Sequence, residues 1–266
     1  MGTTRFSGPV LGSSESSGGV FKDLPIGLVS GVTADVYFND FNAGTDFVSA
    51  GSPLDLTNDW TSTDIGTVTA ECSLFVDGGA TLLLMNTDAA NDEGKVLQYA
   101  NESVWPIADR TIAFEALVGV ADADDMDVYI GVGETLTTFM GTDGTISGSA
   151  VNYAGFHILQ SEATGIASCV AKGGSGSAVD AGNASSVTVG DATYTSGTLT
   201  NYHRYGIRIE DTTKVSFYFD GRKVQETTLS TAFDDATTIT LCSVGSGATA
   251  DITSVDYVAL AQTRGV

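Results

Sequence analysis

Basic side chains are scarce in this chain of 266 residues. Lys and Arg number 11 against 33 Asp and Glu, which gives a formal net charge of −22 at pH 7. Phosphate binding requires clustered Lys and Arg side chains that release counterions, so we expect no nucleic-acid partner. An acidic surface also keeps a protein soluble, and adaptation to a salty environment is an alternative explanation of the same charge.

Long apolar runs are also missing. No stretch approaches the ~18 uninterrupted apolar residues of a membrane helix, and residues 1–9 lack the apolar run of a secretory leader. Phe6 stands where a myristoylation signal has Ser or Thr. We therefore expect no membrane partner and a protein that stays in the cytoplasm where it is made.

Cysteine and histidine are too few and too dispersed to form a recognisable reactive site. Cys72, Cys169 and Cys242 are far apart and form no Cys-x-x-Cys pair, so they are predicted to be buried thiols in a reducing compartment. His157 and His203 are the only histidines, and neither has a Gly-x-Ser-x-Gly context. Both are predicted to occupy ordinary sheet positions, and no cofactor is expected.

The residues that are abundant favour short strands. Gly reaches 32 residues while only 17% of the chain is charged, and Gly supplies the positive-φ positions of tight turns. Apolar residues alternate from residue 34 onward, most clearly in Thr111 to Val120, for which Met126 to Val132 is the predicted partner strand. Lys214 to Val224 is predicted to be a hairpin turning at Asp220-Gly221. The stretch from Gly173 to Ser186 is predicted to be an exposed loop.

These patterns predict an all-β sandwich or jelly roll over residues 33–266. Residues 1–32 differ, because they mix Gly, Ser and Pro with isolated apolar residues at no steady period. They are too apolar for a disordered tail and are predicted to form an extended N-terminal arm that becomes ordered against a neighbouring subunit. A strap lying on its own domain is the alternative.

Three segments resemble the concanavalin A-like lectin and glucanase sandwiches. They are Phe38-Asn39-Asp40-Phe41-Asn42 with the later Trp60, the pair Tyr202–Ile209 and Val215–Gly221, and the closing Ser254–Gln262. The resemblance covers about residues 34–263 and implies a concanavalin A-like jelly roll. That fold is used by lectins, glycosidases and structural modules, so it does not decide the function.

The laminarinase-type hydrolases of this fold resemble one another through a strand with Glu-x-Asp-x-x-Glu, which places two carboxylates at the spacing of retaining hydrolysis. Glu115 has no second carboxylate two or five residues later. We therefore expect a protein that is not an enzyme.

The opening Thr3 to Val10 resembles the N-terminus of structural proteins of tailed phages. That resemblance implies a capsid decoration or cement subunit of the virion, assembled in the host cytoplasm, which binds the major capsid protein as a homotrimer. Large apolar groups dominate interface energies, so Phe6, Phe21 and Leu24 are the predicted capsid-binding anchors of the arm. Arg5 is predicted to pair with carboxylates of the capsid.

The alternative function is a carbohydrate-binding, lectin-like module of a phage tail or fibre, with Trp60, Tyr153 or Tyr194 as glycan contacts. Trp60 and Trp105 could form a sugar-stacking platform or be buried under loops. Asp122, Asp124, Asp125 and Asp127 are spaced as in a Ca²⁺ loop but lack its Gly and terminal Glu, so a solvated acidic turn without metal is predicted.

Overall fold

The computed structural model describes residues 20, 34–39, 41, 60–67, 71–77, 80–87, 92–99, 104, 108, 110–160, 165–180, 187–195, 198–245 and 251–263. Within those ranges the regular secondary structure consists of 18 strands. Over the same ranges, there is no helix with the length and hydropathy of a membrane span. The strands are β1 (Ala34–Asn39), β2 (Trp60–Ile65), β3 (Glu71–Asp77), β4 (Ala80–Asn86), β5 (Glu93–Tyr99), β6 (Thr111–Val120), β7 (Met126–Gly133), β8 (Tyr153–Ile158), β9 (Ile166–Lys172), β10 (Val179–Asp180), β11 (Val187–Thr188), β12 (Thr193–Thr195), β13 (Thr198–Thr200), β14 (His203–Glu210), β15 (Lys214–Phe219), β16 (Arg222–Thr228), β17 (Thr238–Gly245) and β18 (Ile252–Thr263).

The strands form two antiparallel sheets that pack face to face. Sheet A has the order β16-β15-β14-β6-β18-β4-β3, with β1 also paired to β18. Sheet B has the order β10-β9-β8-β7-β17-β5-β2, with β11 also paired to β9. A small pair, β12 with β13, stands apart. The prediction of an all-β sandwich is confirmed.

Alternating side chains of β6 fill the core between the two sheets. Ile112, Phe114, Ala116, Val118 and Val120 are all buried in the main apolar cluster, as the period of two predicts. The side chains of the neighbouring strand β14 alternate in the same way. The predicted arrangement of β14 is confirmed, since its core-facing residues are Tyr205, Ile207 and Ile209.

The predicted pairing of β6 with the strand from Met126 is wrong. The neighbours of β6 are β14 and β18, whereas β7 pairs with β8 and β17 in the opposite sheet. The acidic turn at 122–125 therefore crosses from one sheet to the other. The physical reason is that a short turn can join strands of the same sheet or of opposite sheets, and the apolar pattern of β7, which is buried along its whole length, fits the middle of either sheet.

The predicted hairpin at Asp220-Gly221 is confirmed. β15 and β16 pair antiparallel, and the two turn residues have φ of 49° and 77°. Both values lie in the left-handed region that a two-residue hairpin turn of this type requires. The three cysteines are free and buried, as predicted.

The predicted exposed loop from Gly173 is partly wrong. Gly173 and Gly174 are buried, and Val179–Asp180 forms β10 on the edge of sheet B. Residues 181–186 lie outside the described part of the chain. The predicted boundary between an arm, 1–32, and a domain, 33–266, stays a prediction; the predicted capsid-binding residues Arg5, Phe6, Phe21 and Leu24 also lie outside the described residues.

Gly155 of β8 provides a test of how closely sheet B is covered. A Cβ at this position would lie 2.5 Å from Cζ of Tyr129, a fully buried ring. Overpacking of this kind costs about 1–3 kcal/mol, so Gly155→Ala should lower the free energy of unfolding by that amount in urea denaturation. Gly148→Ala is the matched control, because a Cβ there meets nothing within 4 Å. Equal stability of the two variants would contradict the packing.

Candidate functional site

Residues 134–151, between β7 and β8, fold over the outer face of sheet B, which is the face directed away from sheet A. Phe139 is fully buried, and its ring centroid lies 4.9 Å from that of Tyr129 and 6.2 Å from that of Tyr153. Met140 and Ala150 are buried in the same cluster, which also contains Val96, Val170 and Cys242 of the sheet. We call residues 134–151 the covering segment.

Hydrogen bonds at its base hold the covering segment in place. The buried Glu134 accepts a bond from the Val151 amide at 2.7 Å through Oε1. Asn152, fully buried, donates from Nδ2 to Oδ1 of Asp234 at 2.9 Å and accepts at Oδ1 from the amides of Gly174 and Asp234, both at 3.1 Å. The segment is therefore fastened to the loops that follow β9 and precede β17, as well as to the sheet beneath it.

A groove runs between the covering segment and the edge strand β2. It encloses about 340 Å³, within the ~300–1,000 Å³ that is typical of small-ligand sites. Its apolar part is Ile65 and Met140, and Asp64 at its edge forms an ion pair with Lys95. Hydroxyl groups dominate the other wall. They belong to Thr137, Thr138, Thr142, Thr145 and Ser147.

A tight turn at residues 141–145 forms part of that wall. The Gly141 amide donates to the Thr145 carbonyl at 2.9 Å, and the Gly144 amide donates to the Gly141 carbonyl at 3.1 Å. The exposed carboxylate of Asp143 accepts bonds from the hydroxyl and the amide of Thr145, at 2.6 and 3.2 Å. These bonds to the charged form lower the pKa of Asp143, so this carboxylate stays ionised beside the groove.

Asp127 and His157 lie under the same turn, on neighbouring strands of sheet B. Nε2 of His157 donates to the Gly144 carbonyl at 2.8 Å, which places the proton of a neutral ring on Nε2. Gly144 packs so closely on the Asp127 carboxyl that a Cβ would not fit. Burial raises the pKa of Asp127 to about 6, although its Oδ1 accepts a bond from the Gln160 amide at 2.9 Å. The structure thus brings together two carboxyl groups whose pKa values are shifted in opposite directions.

The aromatic residues predicted as glycan contacts do not line the groove. Trp60 is 5% exposed and packs on Tyr99 with ring centroids 5.4 Å apart. Tyr153 is 6% exposed and lies under the covering segment. Trp105 lies outside the described residues, and so does the side chain of Tyr194. Trp60 is therefore buried, which was the alternative to a sugar-stacking position.

The other candidate residues are separated in the structure. Asp127 is the buried second residue of β7, away from Asp122, Asp124 and Asp125 of the acidic turn. His203 lies in β14, with Nδ1 2.9 Å from Oδ2 of Asp220. Glu115 lies in sheet A, on the opposite side of the sandwich from the groove.

Neither a protein-family model nor a curated protein matches this sequence. Solved structures with the same fold do match. An endo-1,3-beta-glucanase from Streptomyces sioyaensis is 14% identical, with a TM-score of 0.56 over 89% of this chain and 99% of that one. A laminarinase catalytic domain from Thermotoga maritima is 12% identical, with a TM-score of 0.55 over 85% and 96%. The carbohydrate recognition domain of Emp46p is 10% identical, with a TM-score of 0.50 over 84% and 97%.

The concanavalin A-like jelly roll predicted from the sequence is confirmed by these structures.

The predicted function is contradicted: the similar structures are glucanases and a carbohydrate recognition domain, and they give no support to a capsid decoration subunit. That prediction depended on only eight residues at the N-terminus. The expectation that the chain is not an enzyme is contradicted too, because glycoside hydrolases share the fold over most of the chain. At this identity the similarity establishes the fold alone. The predicted partner, homotrimer and location stay predictions.

The groove was not predicted from the sequence. Its wall has no alternating pattern, and Thr and Ser are too common in a β protein to indicate a site. One local signal was present, because Asp143-Gly144 is a dipeptide typical of tight turns. Nothing in the sequence indicates that this turn folds back over sheet B.

Asp127 makes the stability of the protein depend on pH. Its pKa rises from 3.8 to about 6 on folding, so the ionised form is disfavoured in the folded state. The contribution of this group to stability is complete below about pH 4 and is lost as pH rises through 6. A shift of this size corresponds to at most about 3 kcal/mol. We expect Asp127→Asn to reduce the fall in the free energy of unfolding between pH 4 and 7.5, measured in urea. An unchanged pH profile in the variant would contradict the assignment.

Proposed function

We propose that this protein binds a polysaccharide of the β-glucan class in the groove between β2 and the covering segment. The observation that carries the proposal is the composition of the groove, in which five hydroxyl side chains and one carboxylate surround two apolar side chains. Hydroxyl groups both donate and accept hydrogen bonds, and so do the hydroxyl groups of a sugar. Ile65 and Met140 are only 5% and 2% exposed, so a bound sugar would be contacted mainly by the hydroxyl-bearing side chains.

The shape of the groove fits an internal stretch of a chain rather than a single enclosed sugar. It lies at the sheet edge, with exposed Thr137, Thr138 and Thr142 on one side. None of the described residues that line it is aromatic. We therefore expect binding that depends on hydrogen bonds rather than on stacking of the sugar on aromatic rings.

The similarity of the fold to known structures supports a β-glucan as the ligand. The similar structures include enzymes described as endo-1,3-beta-glucanase, laminarinase and a mixed-linkage glucan hydrolase, together with a carbohydrate recognition domain. Laminarin and mixed-linkage β-glucan are therefore the first ligands to test, with the α-glucan dextran as the comparison.

A variant that fills the groove gives the direct test. Thr142→Leu removes a hydroxyl group from the lining and fills part of the groove without adding an aromatic ring, and we expect at least a tenfold loss of affinity for laminarin by calorimetry or affinity electrophoresis. Thr198→Leu is the matched control, because Thr198 is an exposed Thr of β13 outside the groove. Equal binding by the two variants, or no binding of either β-glucan by the unmodified protein, would overturn the proposal.

Hydrolysis of the bound glucan is a second candidate, because glycoside hydrolases share the fold over most of the chain. A glycosidase requires one carboxyl with a raised pKa as the acid and a second, ionised carboxylate. The pKa values of Asp127 and Asp143 are shifted in those two directions, although neither residue lines the groove and Asp127 is covered by the turn at Gly144. The sequence has no Glu-x-Asp-x-x-Glu. Release of reducing ends from laminarin that disappears in Asp127→Asn supports hydrolysis, and release that persists in the variant contradicts the assignment.

A further inference from the structure

Val20 lies on the outer face of sheet A, far along the chain from the strands that it contacts. It is fully buried, and a Cβ added to Gly206 would lie 2.6 Å from its Cγ2. Tyr205 and Ile207, the neighbours of Gly206 on β14, face the core between the sheets. Gly206 must therefore face outward, and Val20 rests on the side of sheet A that is directed away from sheet B.

The surface under Val20 is a trough of small residues. Gly206 is paired with Glu115 of β6, and Glu115 is paired with Ala259 of β18. The next row of the same face holds Ala113 and Ala261, with Arg208 beside Ala113. Glu115, Ala259, Ala113 and Ala261 are 0–4% exposed, although they lie on the outside of the sandwich. The small residues Gly206, Ala259, Ala113 and Ala261 leave room for a covering chain to come close to the backbone of the sheet.

The floor of the trough also contains a polar pair that needs to be covered or hydrated. The Tyr257 hydroxyl donates to Oε1 of Glu115 at 2.7 Å. Burial raises the pKa of Glu115 despite this bond and the positive charge of Arg204. An exposed carboxyl would not show that effect, so water has little access to this part of the outer face.

We propose that the outer face of sheet A is a docking site for the N-terminal segment of the same chain, with Val20 as the side chain that anchors it. The occupant is the chain's own segment, because Val20 of the single chain is already seated against Gly206. The strap alternative for the arm is thus favoured over capture of a neighbouring subunit.

The contact between Gly206 and Val20 is close enough to be tested by changing the size of either side chain. An added Cβ there would meet Val20 Cγ2 at 2.6 Å, Tyr218 Cβ at 3.2 Å and Val20 Cβ at 3.3 Å. Gly206→Ala in the full chain should therefore push out Val20 and little else. Val20→Ala removes the Cγ atoms, so the double variant Val20→Ala/Gly206→Ala should restore part of the fit. Val20→Asp tests the same contact without altering the sheet.

Tryptic cleavage after Lys22, two residues beyond Val20, reports whether the segment is docked. We expect Gly206→Ala and Val20→Asp each to raise the initial cleavage rate at least tenfold by mass spectrometry. The double variant should return toward the rate of the unmodified chain, and Gly148→Ala should leave it unchanged. Circular dichroism of each variant confirms that the sandwich is folded.

Two outcomes would overturn the proposal. One is cleavage after Lys22 at the same rate in Gly206→Ala, Val20→Asp and the unmodified chain. The other is protection that disappears on dilution of the unmodified protein, which would show that the occupant of the trough comes from a second copy. Binding or loss of binding at the β-glucan groove affects neither result, because the groove is on the opposite side of the sandwich.

Discussion

The packing of Phe139 between Tyr129 and Tyr153 is the contact on which the candidate site depends. It fixes the covering segment on sheet B, and the covering segment supplies one whole wall of the groove. Aromatic pairs in such tilted and edge-to-face arrangements contribute about 0.5–1.5 kcal/mol each beyond their burial. The buried bonds of Glu134 and Asn152 hold the base of the segment. Without this anchoring, the hydroxyl groups of the turn at 141–145 would have no fixed position relative to β2.

On the outer face of each sheet, a glycine leaves room for a side chain that packs on the sheet. Gly155 leaves room for the Tyr129 ring beneath the covering segment, and Gly206 leaves room for Val20 on sheet A. Sheets whose outer faces are covered show strands that are buried along their whole length, as in β7 and β8. Among the described residues, several exposed carboxylates lie in turns, as at Asp124, Asp125, Asp143 and Asp220.

The fold was predicted better than the site, because the pattern of a strand lies within a few consecutive residues. The segments that cover the sheets make contacts with residues far away in the sequence. Alternation in Thr111 to Val120 and the Asp220-Gly221 turn predicted elements that the structure has. The partner of β6 was predicted wrongly, since adjacent strands in sequence can belong to opposite sheets and a short turn does not distinguish the two cases. The groove depends on contacts between residues 137–147 and β2, more than 70 positions earlier, and no periodicity encodes them. The N-terminal resemblance to phage proteins was too short to decide a function.

A crystal structure of the protein soaked with a laminari-oligosaccharide tests the central claim most directly. We expect sugar density along the groove, in contact with Asp64, Thr138 and Thr142, with the covering segment still packed on Tyr129. Density on another surface with the groove empty would contradict it. So would a covering segment displaced from sheet B, with the sugar bound directly on the strands that it had covered.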